Sequence, residues 1–415
     1  MEKKWKRAKI LIISGTAILV ITILGIVFSG KIIEEINKKG WFGNKNQLQA
    51  IVEQENSGTE IAEQSNQENS VIAVQDGSVS TQAVDTSNWD LTKVDIVYDT
   101  ANVAVPVPKG YVASGADGEH TVNDGFVIYE GDTAVTTDNA WSESCTRNQW
   151  VWVPVPDVRR VFTLGVGAKK AGEVYTYNNV ERGYLAGGEP DLLKEYDNEK
   201  YFTENKLQGM TREKFLHEMQ EEFDFTIESI KRYGGFYIGR YETGNLSSKI
   251  PVVQRMNTDI SNQTWYTGYS RLQRLGANGN VKSNMLFGCL WSETLQWLVD
   301  NEKKTYKNIK DSSGWGNYAI SRFRYKTSKN KSALKSASSY VKIPTGSAEV
   351  CKANNIYDMA GNVAEWTLYT FNFQNRTNMG GGYDDRRVES VDYYASISPD
   401  QSNKNLGFRA YLYIK

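Results

Sequence analysis

The residues best placed to do chemistry lie in one short run, NNIYDMAGNVAEW at 354–366. It sets Asp358 and Glu365 on either side of a Gly361-Asn362 pair. Carboxylates concentrated around a glycine suit an active site, a metal loop, or only a tight turn before a strand. In the last case, the side-chain oxygens take hydrogen bonds from the turn's own N–H groups. The rest of the catalytic vocabulary is thin. Cys145, Cys289 and Cys351 stand far apart with no C-x-x-C pair, which indicates neither a disulfide framework nor a zinc site. His120 and His217 lie in different contexts, so no H-E-x-x-H and no Ser/His/Asp arrangement is evident. A net charge of −1 over 415 residues argues against a nucleic-acid protein, which would carry a basic excess.

Those side chains need a scaffold, and from Trp89 onward the chain offers aromatic and β-branched runs punctuated by Gly, Asn and Asp. VWVPVP at 151–156 alternates with period two, while Pro154 and Pro156 confine it to a sheet edge or a strand exit. GFYIGRYETG at 235–244 predicts a strand with Phe236, Ile238 and Arg240 on one face and Tyr237, Gly239 and Tyr241 on the other. Two helices are predicted. Over 211–232, Phe215, Met219, Phe223, Ile227 and Ile230 recur every three or four residues; over 292–300, Trp291, Leu295 and Leu298 form the stripe. Both stripes read as core contacts. Helices mixed irregularly with many strands predict an α+β head.

The N-terminal part is different in kind. Residues 10–29, ILIISGTAILVITILGIVFS, hold no charge, and at about 1.5 Å per residue they match the roughly 30 Å of a bilayer core. Lys3, Lys4, Lys6, Arg7 and Lys9 precede them. This predicts a cytoplasmic basic tail at 1–9, a transmembrane helix acting as signal anchor at 10–30, and an extracellular remainder. A cleaved signal peptide is the alternative. Residues 44–88 carry seven acids against one base, with no aromatic and no Pro. They predict a flexible acidic polar stalk over 31–88.

Three motifs carry a resemblance. NIYDMAGNVAEWT at 355–367, MGGGY at 379–383 and NLGFRAYLY at 405–413 resemble, in order and spacing, the formylglycine-generating enzyme or sulfatase-modifying-factor family, and GGFYIGRYETG resembles its first core strand. The resemblance is strongest over 235–415. It implies a formylglycine-generating-enzyme-like, C-type-lectin-like α+β domain over 161–415, preceded by a β-rich lead-in at 89–160, in a membrane-anchored Gram-positive or phage-type relative. It does not bring the chemistry. The positions matching the family's copper-binding cysteines are Asp385 and Ser390, and a carboxylate with a hydroxyl cannot replace the soft thiolates that select Cu(I). The iron-binding histidine cluster of a related branch is missing too, so neither copper nor iron is expected.

Two further sites follow from the resemblance. The family's D-x-x-G-N-V-x-E-W turn commonly holds structural Ca²⁺; the matching ligands are the side chains of Asp358 and Glu365 and the carbonyls of Gly361 and Val363. The alternative is a turn whose carboxylates take backbone N–H bonds or pair with a base such as Arg409. The stretch 383–405 corresponds to a ligand-facing surface, with Tyr383, Asp385, Arg387, Glu389, Tyr393 and Tyr394 as binding residues for an extracellular glycan, peptide or protein. The functional expectation is thus a membrane-tethered extracellular binding protein. The alternatives are an enzyme with an atypical site around Asp385, Arg387 and Glu389, or a structural cell-envelope or phage-related surface protein. One feature stands outside the resemblance: residues 303–342 hold eleven bases and only Asp311 as acid. A loop of that charge could touch teichoic acid, acidic glycan or lipid headgroups, or be merely solvated.

Overall fold

A computed structural model describes residues 84–162, 204–207, 209–248, 250–276, 278–368, 376–386, 390–392 and 394–415. The expected basic tail, the expected span at 10–30 and most of the expected stalk lie outside the described residues.

In chain order the strands begin with β1 (Val94–Tyr98), β2 (Ala104–Pro108), β3 (Tyr111–Ala113), β4 (Val127–Glu130), β5 (Gln149–Pro154), β6 (Gly235–Gly239) and β7 (Val281–Met285). They continue with β8 (Phe323–Ser328), β9 (Lys331–Lys335), β10 (Lys352–Ala353), β11 (Ile356–Tyr357), β12 (Ala364–Trp366), β13 (Arg376–Met379), β14 (Tyr394–Ile397), β15 (Leu406–Phe408) and β16 (Ala410–Ile414). The α-helices are α1 (Ala140–Thr146), α2 (Arg212–Tyr233), α3 (Trp265–Leu272), α4 (Gly288–Asp300) and α5 (Tyr306–Lys310).

The central sheet has six strands in the order β3-β4-β5-β6-β16-β7, every neighbour antiparallel. Strands from before residue 160 and after 235 therefore share one ladder, with Val151 opposite Ile238 and Leu412 opposite Tyr237. β5 runs through the middle of this sheet and Pro154 is its last residue, a strand exit. β6 is buried on both faces: Phe236 and Ile238 on one, Tyr237 and Gly239 on the other. A second sheet, β14-β13-β12-β15, is antiparallel except for the parallel β12–β15 pair.

α2 forms where the 3.6-residue apolar period predicts it. Thr211 caps it by accepting from the Lys214 N–H, and Gly234 ends it at a φ of 82°, where a β-carbon would be strained. Its stripe Phe215, Met219, Phe223, Ile227 and Ile230 is fully buried and packs toward β6 and β16. Each such side chain contributes about 2 kcal/mol of burial. α4 starts earlier than its predicted 292, because Gly288 to Leu298 is buried on every side and no polar face marks the first turn. α3 has no strong periodic signal. It exists because Gly268 lets it press onto β15: a β-carbon there would lie 1.9 Å from Phe408 Cε1.

Candidate functional site

Asp358, Gly361 and Asn362 take left-handed backbone conformations, at φ of 60°, 72° and 62°. The turn between β11 and β12 is consequently tight enough to gather three fully buried carboxylates, Glu242, Asp358 and Glu365, around one fully buried guanidinium, Arg409. Glu365 accepts from Arg409 Nε at 2.9 Å and Nη2 at 2.6 Å. Arg409 also donates to the carbonyls of Gly239 (2.9 Å) and Tyr357 (2.8 Å). Asp358 Oδ2 accepts from Thr345 Oγ1 at 3.0 Å and the Gly346 N–H at 2.7 Å, while its Oδ1 has no hydrogen-bond partner. Glu242 accepts from Asn362 Nδ2 at 2.6 Å and the Val363 N–H at 3.1 Å.

Burial pushes Asp358 up to about 6 and Glu365 up to about 7. Burial, reinforced by Asp358 and Glu365, pushes Glu242 well above the carboxylate range. The side-chain members of the expected Ca²⁺ set are Asp358 and Glu365. Both Glu365 oxygens face a guanidinium, and Asp358 Oδ1 is the one uncommitted carboxylate oxygen of the set. Among the described residues, no three His, Cys, Asp or Glu side chains converge to hold a metal. The run is a polar clamp that ties β11, β12 and the segment after β15 together. Glu242 and Asn362 were not among the expected site residues. Glu242 had a sequence signal, since it continues the alternation of Phe236, Ile238 and Arg240.

The expected ligand set is only partly within the described residues; Arg387, Glu389 and Tyr393 lie outside them. Tyr383 is turned inward, 6% exposed, and its N–H donates to Asn362 O at 2.9 Å. Asp385 accepts from the Gly382 N–H at 2.6 Å through Oδ2 and from the Ala319 N–H at 3.1 Å through its carbonyl, which closes a turn. Burial raises its carboxyl pKa. Tyr394 is half-buried on β14. Ser390 donates to Ile309 O at 3.0 Å. The cysteines are free thiols, two of them buried. His120 Nδ1 lies 2.9 Å from Ala116 O, and His217 lies on exposed α2 surface beside Glu221.

What the structure does bring together is the basic stretch. β8 and β9 form an antiparallel hairpin with Phe323 opposite Lys335, Arg324 opposite Leu334 and Lys326 opposite Ser332. Phe323 and Tyr325 face inward onto Ile343, Ala348 and Cys351. Lys335 is buried beside them, donating to the carbonyls of Tyr318 (2.7 Å) and Ser321 (3.0 Å). Period-two alternation then places Arg322, Arg324 and Lys326 on the outer face, about 7 Å apart, with Lys329 and Lys331 at the tip. None of these five bases makes an ion pair among the described residues. Residues 312–348 contain no acid.

Comparison with known proteins gives little. No family model matches the chain, and no curated protein matches it. Among solved structures, the chain is similar to one titled "Crystal Structure of CarF" at 14% identity and a TM-score of 0.29, covering 44% of this chain and 87% of that one. It is also similar to "Treponema denticola variable protein 1" at 15% identity and a TM-score of 0.21, covering 77% and 92%. Likeness at that level carries no argument about fold.

The expectations drawn from the resemblance are corrected accordingly. With no matching family model, membership of the sulfatase-modifying-factor family and a C-type-lectin-like identity are unsupported, and the description is an α+β domain built on the six-stranded antiparallel sheet. Among the described residues no helix is long and apolar enough to cross a membrane. A single-pass protein with a cytoplasmic N-terminus and an extracellular head is therefore unsupported, as are the signal-anchor role, the membrane partner and the tethered display of 383–405 to an extracellular ligand.

Proposed function

We propose that this domain is a binding module that engages a linear polyanion, a chain of phosphate groups, through the outer face and tip of the β8–β9 hairpin. One observation carries the reading: five exposed or half-exposed bases, none ion-paired among the described residues, stand on one rigid hairpin in a stretch without a single acid. An exposed cation is ordinarily balanced by nearby carboxylates, and a surface that omits them holds a sustained positive potential. The inward Phe323 and Tyr325 anchor the hairpin, so the backbone that carries the outer cations needs no ordering at binding and only their side chains do. Leu334, 49% exposed opposite Arg324, adds apolar contact area on the same face. Inorganic polyphosphate titrated against the full-length chain tests this by fluorescence anisotropy. The Arg324→Ser, Lys326→Ser, Lys331→Ser triple variant should lose most of the binding while keeping the wild-type thermal melt. Equal binding by wild type and variant would refute the reading.

A further inference from the structure

A pocket lies against α3. This helix buries Trp265, Tyr269 and Leu272 and presents its polar side to a pocket of about 520 Å³. Thr264, Thr267 and Arg271 recur in three- and four-residue steps from the cap of α3 through its last turn, which sets them on one helical face, and Arg274 joins them from the turn that follows the helix. Ser270 adds a hydroxyl, and the short 3-10 turn Glu204–Leu207 brings Lys206 to the rim. Tyr266 also lines the pocket, with Lys206 Nζ 5.6 Å from its ring centroid.

The charges around this pocket do not cancel. Lys206 pairs with Asp400, but among the described residues no carboxylate lines the pocket and neither Arg271 nor Arg274 makes an ion pair. Arg271 is held in place because its Nη1 donates to the Leu246 carbonyl. Thr264 and Thr267 are held by their mutual hydroxyl contact at 3.0 Å and by the Thr267 N–H at 3.2 Å. Two guanidinium forks and several hydroxyls match the oxygens of a tetrahedral oxyanion, which a neutral ligand does not supply. The volume exceeds a bare anion and suits a small-molecule body beside Tyr266.

We propose that this pocket binds a monosaccharide-sized molecule carrying a phosphate or sulfate ester, with Arg271 and Arg274 on the ester oxygens and the Thr and Ser hydroxyls on the ring hydroxyls. The site is separate from the hairpin and takes a single small anion, not a polymer. Calorimetric titration of the full-length chain with glucose 6-phosphate, glucose 6-sulfate, inorganic phosphate and glucose tests it. At least one ester should bind at one equivalent and more tightly than inorganic phosphate, and glucose should give no saturable heat; which ester binds identifies the source of the oxyanion. Arg274→Ala should weaken ester binding about tenfold, the loss of one charge-assisted contact, and Arg274→Lys should restore part of it. Because Arg274 is exposed and makes no ion pair among the described residues, both variants should melt as wild type does. The hairpin triple variant should bind the ester unchanged, which separates this site from polyanion docking. Glucose binding as tightly as the esters, no saturable heat from either ester, or an Arg274→Ala affinity equal to wild type would overturn the proposal.

Discussion

Arg409→Met is the sharpest test of the polar clamp. The substitution keeps an unbranched side chain of similar length but removes the one guanidinium among Glu242, Asp358 and Glu365. It deletes the two bonds to Glu365 at 2.9 and 2.6 Å and orphans the carbonyls of Gly239 and Tyr357. Breaking a buried pair by removing one partner costs about 3–5 kcal/mol, and each orphaned carbonyl adds about 1 kcal/mol. Set against a total stability of about 5–15 kcal/mol, the variant should sit close to unfolding. Urea titration followed by tryptophan fluorescence should show a loss of roughly 5 kcal/mol with an unchanged slope. Adding Glu365→Gln to Arg409→Met should recover about 2 kcal/mol, since the uncompensated charge is gone. A single-variant loss under about 2 kcal/mol, or no recovery in the double variant, would refute the claim that Arg409 neutralises this cluster.

The same cluster sets a pH dependence. Asp358 and Glu365 have folded pKa values raised by burial to about 6 and 7, above those of an unfolded chain, so their contribution is fully present below about pH 4 and lost as pH rises through 6 and 7. Urea titrations at intervals from pH 5 to 8 should therefore show falling stability, with a ceiling of roughly 3 kcal/mol per carboxylate, and Glu365→Gln should flatten the fall. Glu349 acts oppositely: although burial raises it, Lys352, Tyr357 and Arg255 hold it at about 2, so its contribution is lost only on acidification below that window. Gly268→Ala should lower the thermal midpoint even though Ala gains about 1 kcal/mol of helix propensity, because the new β-carbon would lie 1.9 Å from Phe408; a net loss of about 2 kcal/mol is expected by thermal melt.

The sequence made some of this architecture legible and hid the rest, for physical reasons. α2 was readable because one face is buried and the other is wet, which imprints a 3.6-residue period on Phe215 through Ile230. α4, buried all round, carries no such contrast, so its first turn was missed. α3 reads as WYTGYSRL, weak in helix formers, and its formation depends on a tertiary contact at Phe408 that no local pattern reports. At the turn after Tyr357, the sequence left metal loop and hydrogen-bonded turn both open; the position of Arg409, 44 residues downstream of Glu365, determines how both Glu365 oxygens are used. The basic stretch was visible as charge alone. Its folding into a hairpin that half-buries Phe323 and Tyr325, buries Lys335 and leaves five bases outside rests on contacts with Ile343, Ala348 and Cys351, which lie beyond the hairpin.

The most direct test of the polyanion reading is the salt dependence of polyphosphate binding by the full-length chain. Five cations releasing counterions at a single-stranded polyanion predict a slope of log affinity against log salt near −3.5, falling to about −1.4 when Arg324, Lys326 and Lys331 are replaced by Ser. Matching slopes in wild type and variant, or no measurable binding at low salt, would contradict the account.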